Sequence, residues 1–155
     1  MIEVQRLARE SQREIRDVVR GYRAADLGVE LLGAKGVLTA AGIACELTEE
    51  AVGLSAGAQS ALGWVVREAT TNVLRHGDAS RCAVRVRATK GRAVLSVEND
   101  GAEAAERGTG SGLAGLRERL AAVDGTLEAG MVGRDVFRLV AEVPLTPVTS
   151  GGAAS

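Results

Sequence analysis

The apolar positions Val4, Leu7, Ile15, Val18 and Tyr22 recur at three- and four-residue spacing with one break at Ser11, tracing a narrow stripe along a charged helix over residues 3–22. A stripe so narrow needs a partner helix. Arg6 with Glu10 and Arg13 with Asp17 support its solvent side. Asp26 is placed to cap a second helix that carries Leu27, Leu31, Ala34, Leu38 and Ala41 on one side and stops at Gly42, although its three interior glycines weaken it. Ile43–Leu47 reads as a short strand. Ser55 then caps the longest helix, residues 56–76, whose core stripe is Ala58, Leu62, Val65, Val66, Ala69 and Val73, and Gly77 ends it. Alternation of Cys82, Val84 and Val86 with arginines predicts a strand over 81–88, and a Lys90-Gly91 turn joins it to a second strand over 93–98. After a glycine-rich loop come a helix over 113–123, a turn at Asp124-Gly125, and strands near 126–129 and 135–143 closed by Pro144.

Composition narrows the class. Hydrophobic residues make up 46% of the chain but only Tyr22, Trp64 and Phe137 are aromatic, so the core is aliphatic and bases have no stacking surface. With a net charge of −1 there is no basic field either, and nucleic acid is not an expected partner. A chain of 155 residues buries enough surface for one core without staples. Cys45 and Cys82 form no CxxC and have no flanking ligand cluster, which predicts two buried thiols rather than a metal site. No apolar run reaches the roughly 20 residues of a membrane span, and the first residues are too charged for a signal peptide, so the expectation is a cytoplasmic chain.

Three segments carry candidate chemistry. On the long helix Glu68 and Asn72 stand one turn apart on the border of the core stripe, where a carboxylate and a carboxamide can hold a hydrated Mg²⁺ by oxygen, and Arg75 follows within reach of phosphate. The same residues also fit an ordinary amphipathic helix with a polar border. Gly108, Gly110 and Gly112 lie immediately before the 113–123 helix and leave backbone amides open to an anion, with Arg117 and Arg119 behind them. A plain flexible loop is the alternative. The Gly-Lys-Ser/Thr ending of a Walker loop is absent, and no parallel strand-helix-strand unit surrounds the glycines as a dinucleotide fingerprint requires. Third, a strand runs into Asn99, Asp100 and Gly101, which suits contact with a base edge or a simple turn.

Their order along the chain resembles the ATP-binding catalytic domain of sensor histidine kinases, in the subfamily that pairs with NarL-type response regulators and is abundant in actinobacteria. REATTNVLRHGDAS is similar to the family's Asn box, GSGLAGLRERL to its glycine box, and YRAADLGVELLGAKGVLTAAGI to the connection from the dimerisation domain. The resemblance implies ATP and Mg²⁺ as cofactors. It makes Asn72 the metal ligand and Glu68 its partner in catalysis, with Arg75, His76, Asn99, Asp100, Gly101, Gly108, Gly110, Gly112, Leu113 and Arg117 around the nucleotide. Two departures stand out: the family's adenine-binding Asp is Asn99, and its second box glycine is Glu103. The family's phospho-accepting His precedes this segment. His76, the sole histidine, lies on the donor side as a phosphate-facing or structural residue.

The fold expected is an α/β two-layer sandwich, a mixed β-sheet covered on one face by α-helices, with a mobile lid over about 102–111. Residues 1–24 read as the remnant of a dimerisation helix, 25–145 as the catalytic domain and 146–155 as a disordered tail, the chain being a piece of a larger receptor that is membrane-anchored or a cytoplasmic sensor. Its partners would be the phospho-acceptor domain of that parent and a NarL-type response regulator. Alternatives are a kinase-like module that works by protein contact with little nucleotide binding, an anti-sigma-factor-type serine kinase, and a gyrase-type ATPase, which would need a transducer domain.

Overall fold

Burial in strict alternation along three strands, against helices with one apolar side each, dictates a sheet with one covered and one open face. The computed structural model describes residues 26–50, 53–76, 78–102 and 111–145. Its elements are α1 (Leu27–Ala40), β1 (Ala44–Glu49), α2 (Ala56–His76), β2 (Arg81–Thr89), β3 (Arg92–Asn99), α3 (Ser111–Ala121), β4 (Thr126–Met131) and β5 (Phe137–Pro144). They form a five-stranded sheet in the order β1-β2-β3-β5-β4. β1 runs parallel to β2, and the other pairs are antiparallel, so the sheet is mixed. This is the α/β architecture expected.

Cys82, Val84 and Val86 from β2, Ala93, Leu95 and Val97 from β3, and Phe137, Leu139, Ala141 and Val143 from β5 all lie in the core. Against them pack the stripe expected on α2, Leu27, Leu31, Ala34 and Leu38 from α1, and Leu113, Leu116 and Leu120 from α3. The helices lie side by side, with α1 against β1 and α2, and α3 against α2 and β4. The open face is laced by charge pairs between strands: Arg85 with Glu46 at 3.6 Å, Arg92 with Glu142 at 3.1 Å, and Arg138 with Glu98.

Local chemistry sets the ends. Asp26 caps α1 by accepting from the Gly28 N–H, and the Ser55 hydroxyl accepts from the Ala58 N–H at the start of α2. Lys90 and Gly91 both have positive φ, the geometry of a tight hairpin.

The structure differs from the sequence reading in several places. β1 begins at Ala44 and continues to Glu49, beyond Leu47, because its parallel pairing with β2 runs on to Val86. α3 spans Ser111–Ala121 rather than 113–123, and 122–124 close it as a turn. Cys82 is buried, but Cys45 is only half-buried, since β1 is an edge strand. Ala102, assigned to the lid, is 3% exposed and donates its N–H to the Asp135 carbonyl at 2.9 Å. Residues 103–110, the rest of that lid up to Ser111, lie outside the described residues, as do 1–25, 51–52, 77 and 146–155. None of the helices among the described residues is long and apolar enough to cross a membrane.

Candidate functional site

α2 and α3 run antiparallel, and three contacts align them. A β-carbon on Gly57 would lie 3.2 Å from the Val123 side chain; Arg119 lies over the Trp64 ring; and a β-carbon on Gly112 would lie 2.4 Å from Glu68 Oε2. Glu68 and Gly112, 44 positions apart in the chain, are therefore brought into direct contact. The absent side chain at Gly112 lets the carboxylate lie against the first turn of α3. The N–H groups of that turn have no intrahelical acceptor and carry the positive end of the helix dipole.

Asn72 is half-buried one turn beyond Glu68 on α2. Among the described residues neither the Glu68 carboxylate nor the Asn72 carboxamide has a hydrogen-bond or ion-pair partner, although both are partly withdrawn from water. Partly buried polar ends left open in this way can take up a ligand.

At the end of β3, Asn99 is 6% exposed and is the buried polar side chain of the described core. Its Nδ2 donates to the Asp100 carbonyl at 2.9 Å, while Oδ1 has no donor among the described residues. A buried acceptor without a donor matches a ligand that brings an amino group.

Asp100 has different work. Its carboxylate accepts from the Ser80 N–H at 2.7 Å, the Ser80 hydroxyl at 2.5 Å and the Arg81 N–H at 2.9 Å. Burial alone would raise its pKa, but the bonds from the Ser80 hydroxyl and the Arg81 and Ser80 amides outweigh it and hold the carboxyl below its ordinary value. Gly101 sits at φ +70, and a β-carbon there would lie 2.2 Å from the Asp78 carbonyl oxygen. Asp100 and Gly101 thus lock the end of β3 to the start of β2.

Of the remaining expected residues, Arg75 is exposed on α2, one turn from Thr71 and three residues beyond Asn72. The backbone of His76 closes α2, and its side chain lies outside the description, as do Gly108 and Gly110. Leu113 is a core residue, so only its backbone amide faces the α3 start. Arg117 donates from Nε to the Leu127 carbonyl at 3.4 Å and is held over β4, not at the Glu68–Gly112 contact. Arg119, also expected beside the anion, lies with its guanidinium carbon 4.3 Å from the Trp64 ring centroid.

Ser80 and Trp64 are contributors that the sequence reading missed. Trp64 had a usable signal, standing one turn before Glu68; Ser80, in an ordinary Asp-Ala-Ser link, had none. A cavity of about 370 Å³ is separate from the Glu68–Gly112 contact, lined mainly by open-face residues such as Ala44, Glu46, Ala83 and Arg85, and meets the β3 end at Asn99 and Asp100.

Residues 57–147 match the family of histidine kinase-, DNA gyrase B- and HSP90-like ATPases. The chain belongs to that family. Among curated proteins it is similar to sensor histidine kinase DesK of Bacillus subtilis (strain 168), 34% identical over 129 residues, covering 80% of this chain and 35% of the relative. It is also similar to sensor histidine kinase YvfT of the same organism, 27% identical over 128 residues, covering 81% of this chain and 34% of the relative. The chain thus spans about a third of the length of the curated relatives it matches. It shares its fold with the histidine kinase domain of the E. coli osmosensor EnvZ, at a TM-score of 0.58 and 21% identity, covering 79% of this chain and 88% of that one. Sequence thus places the chain among the histidine kinase-, DNA gyrase B- and HSP90-like ATPases, and its fold is that of a histidine kinase domain.

Proposed function

We propose that this chain is the Mg²⁺-ATP-binding catalytic domain of a two-component sensor histidine kinase, which passes the γ-phosphoryl group to a His on a dimerisation domain outside this chain. The observation that carries the proposal is the contact of Glu68 with Gly112. It unites an oxygen-donor helix and an anion-attracting helix start that the sequence keeps far apart.

The residues fit the cofactor. Asn72 and Glu68 would offer a hydrated Mg²⁺ oxygen atoms that have no partner among the described residues, and the first amides of α3, with Gly112 among them, would receive phosphate oxygens. Asn99 Oδ1 would accept from the adenine amino group, and Asp100 and Gly101 hold it in place through Ser80, Arg81 and Asp78. Bound Mg²⁺ would supply charge neutralisation. The protein's contribution is positioning, because phosphoryl transfer leaves little covalent work for side chains. Glu68 would orient the metal or its water, and the resemblance to the family adds Arg75, His76, Gly108, Gly110 and the Leu113 amide to the residues that would meet the phosphates.

Domain limits of 1–24, 25–145 and 146–155, a NarL-type response regulator as the downstream partner, an actinobacterial-type subfamily and a cytoplasmic location for this part are components of the same proposal. A neutral Asn99, where the resemblance to the family's motif implies an Asp, sustains a second reading, a kinase-like module that binds nucleotide weakly and acts by protein contact.

Incubation of the chain with γ-labelled ATP and the dimerisation domain of its parent separates the two. The proposal expects alkali-stable label on the added domain, dependent on its concentration, and none on this chain alone. No transfer at any concentration would overturn it, and label on this chain that disappears in His76→Gln would reverse the donor and acceptor roles.

A further inference from the structure

The Trp64 ring is shared by two guanidinium groups. The Arg67 guanidinium carbon lies 4.5 Å from its centroid, and that of Arg119 lies 4.3 Å from it. Arg67 does not end there: it also holds Glu30 of α1 in a bidentate pair, Nη2 to Oε2 at 2.5 Å and Nε to Oε1 at 3.3 Å. Glu30 keeps only 18% of its side-chain surface exposed, so the pair is partly withdrawn from screening. The four residues thus form one continuous string, Glu30–Arg67–Trp64–Arg119, crossing all three helices of the covering layer. Arg67 serves both neighbours, while Arg119 has no carboxylate partner among the described residues and meets the string through the Trp64 ring alone.

The place of this string gives it consequence. Trp64 lies one helical turn before Glu68 on α2, and Arg119 lies two turns after Gly112 on α3. The string is therefore the next rung below the Glu68–Gly112 contact in the same antiparallel seam. Seven residues of α-helix are stiff, so a shift of Arg119 along Trp64 is transmitted to Gly112 and to the amides around it. Gly57 and Val123 approach each other at the far end of the same seam.

We propose that Glu30, Arg67, Trp64 and Arg119 form a positioning relay that couples the placement of α1 to the alignment of the α3 start with Glu68, so that movement of α1 alters nucleotide affinity without touching the nucleotide. The proposal rests on the reading of the site as a nucleotide site, but its structural half does not. α1 is the first described element of the chain, and Glu30 ties it to α2 beside the apolar packing of Leu27, Leu31, Ala34 and Leu38.

Trp64 is the sole tryptophan, so its emission reads the relay directly. In the full chain with Mg²⁺ and a non-hydrolysable ATP analogue, the relay expects a change of Trp64 emission on saturation, although this ring is not a nucleotide contact. Glu30→Gln and Arg119→Ala should each weaken analogue affinity about two- to tenfold, the range of one cation–π or ion-pair contact. The double variant should lose no more than the stronger single one, because both act along one string. Trp64→Phe, which retains a π-face, should keep affinity close to wild type, whereas Trp64→Leu should lose it. Independent, multiplicative losses, or unchanged affinity in Glu30→Gln and Arg119→Ala, would overturn the relay. Amide exchange in the hydrogen-bonded body of α3, residues 115–121, measured without nucleotide, separates the two claims: it should quicken in Glu30→Gln even if the wild-type chain binds no analogue. An unchanged exchange rate would sink the relay and leave the nucleotide reading standing.

Discussion

The Glu68 carboxylate, the far end of a flexible side chain, occupies the space that a β-carbon on Gly112 would take. Gly112→Ala must push either Glu68 or the start of α3 aside, so ATP-analogue affinity should fall at least about tenfold while the thermal midpoint falls by only a few degrees. Unchanged affinity in calorimetry would remove the contact from the site. Asp100 acts on stability instead. Its carboxyl is held below the ordinary value of 3.8, burial being outweighed by the Ser80 and Arg81 donors, so its stabilising contribution is present above that value and is lost as pH falls through the lowered one. Asp100→Asn should be less stable than wild type at neutral pH and lose less on acidification below about pH 4, as read by denaturant unfolding at several pH values. Parallel acid limbs for the two proteins would contradict the bonding pattern at Ser80 and Arg81. Asn99→Asp tests the β3 end: a charged acceptor in place of the open Oδ1 should strengthen binding of an adenine nucleotide relative to guanine, and equal affinities would place the amino contact elsewhere.

The β2–β3 hairpin is the element whose turn chemistry is least relaxed. Lys90 sits at φ +51, where a lysine β-carbon is crowded, and Gly91 follows at φ +77. Lys90→Asn should stabilise the chain by about 0.5–1 kcal/mol with no change in nucleotide affinity, checked by thermal unfolding. A loss of stability would mean that Lys90 makes a contact worth more than its strain. This turn, the 56–76 limits of α2 and the alternating strands were all legible, because hydrophobic periodicity and Lys-Gly, Ser and Gly punctuation are local signals. The end of β1 was not. Thr48 and Glu49 look polar and terminal in sequence, and only pairing with Arg85 and Val86 keeps them in the sheet. The site was legible in its parts, since Glu68, Asn72 and the glycines before α3 each have a local pattern, but their meeting at Gly112 depends on how α3 returns along α2. Arg117 and Arg119 show the limit most clearly. Both look like phosphate ligands from their position after the glycines, yet a helix turns successive residues by about 100°, which sends Arg117 to Leu127 and Arg119 to Trp64.

At the level of the whole molecule, one sheet face is given to charge pairs and the other to helices, and the residues proposed to hold nucleotide lie on α2, at the end of β3 and at the start of α3. Asn72 borders the core rather than filling it, so Asn72→Ala should leave folding nearly intact while removing the Mg²⁺-dependent part of binding. The measurement that bears most directly on the account is therefore isothermal calorimetry of the chain with a non-hydrolysable ATP analogue, with and without Mg²⁺, alongside Asn72→Ala. The account expects saturable one-to-one binding that tightens with Mg²⁺ in the wild type and loses that tightening in the variant. No binding by the folded wild-type chain, or the same Mg²⁺ dependence in Asn72→Ala, would contradict it.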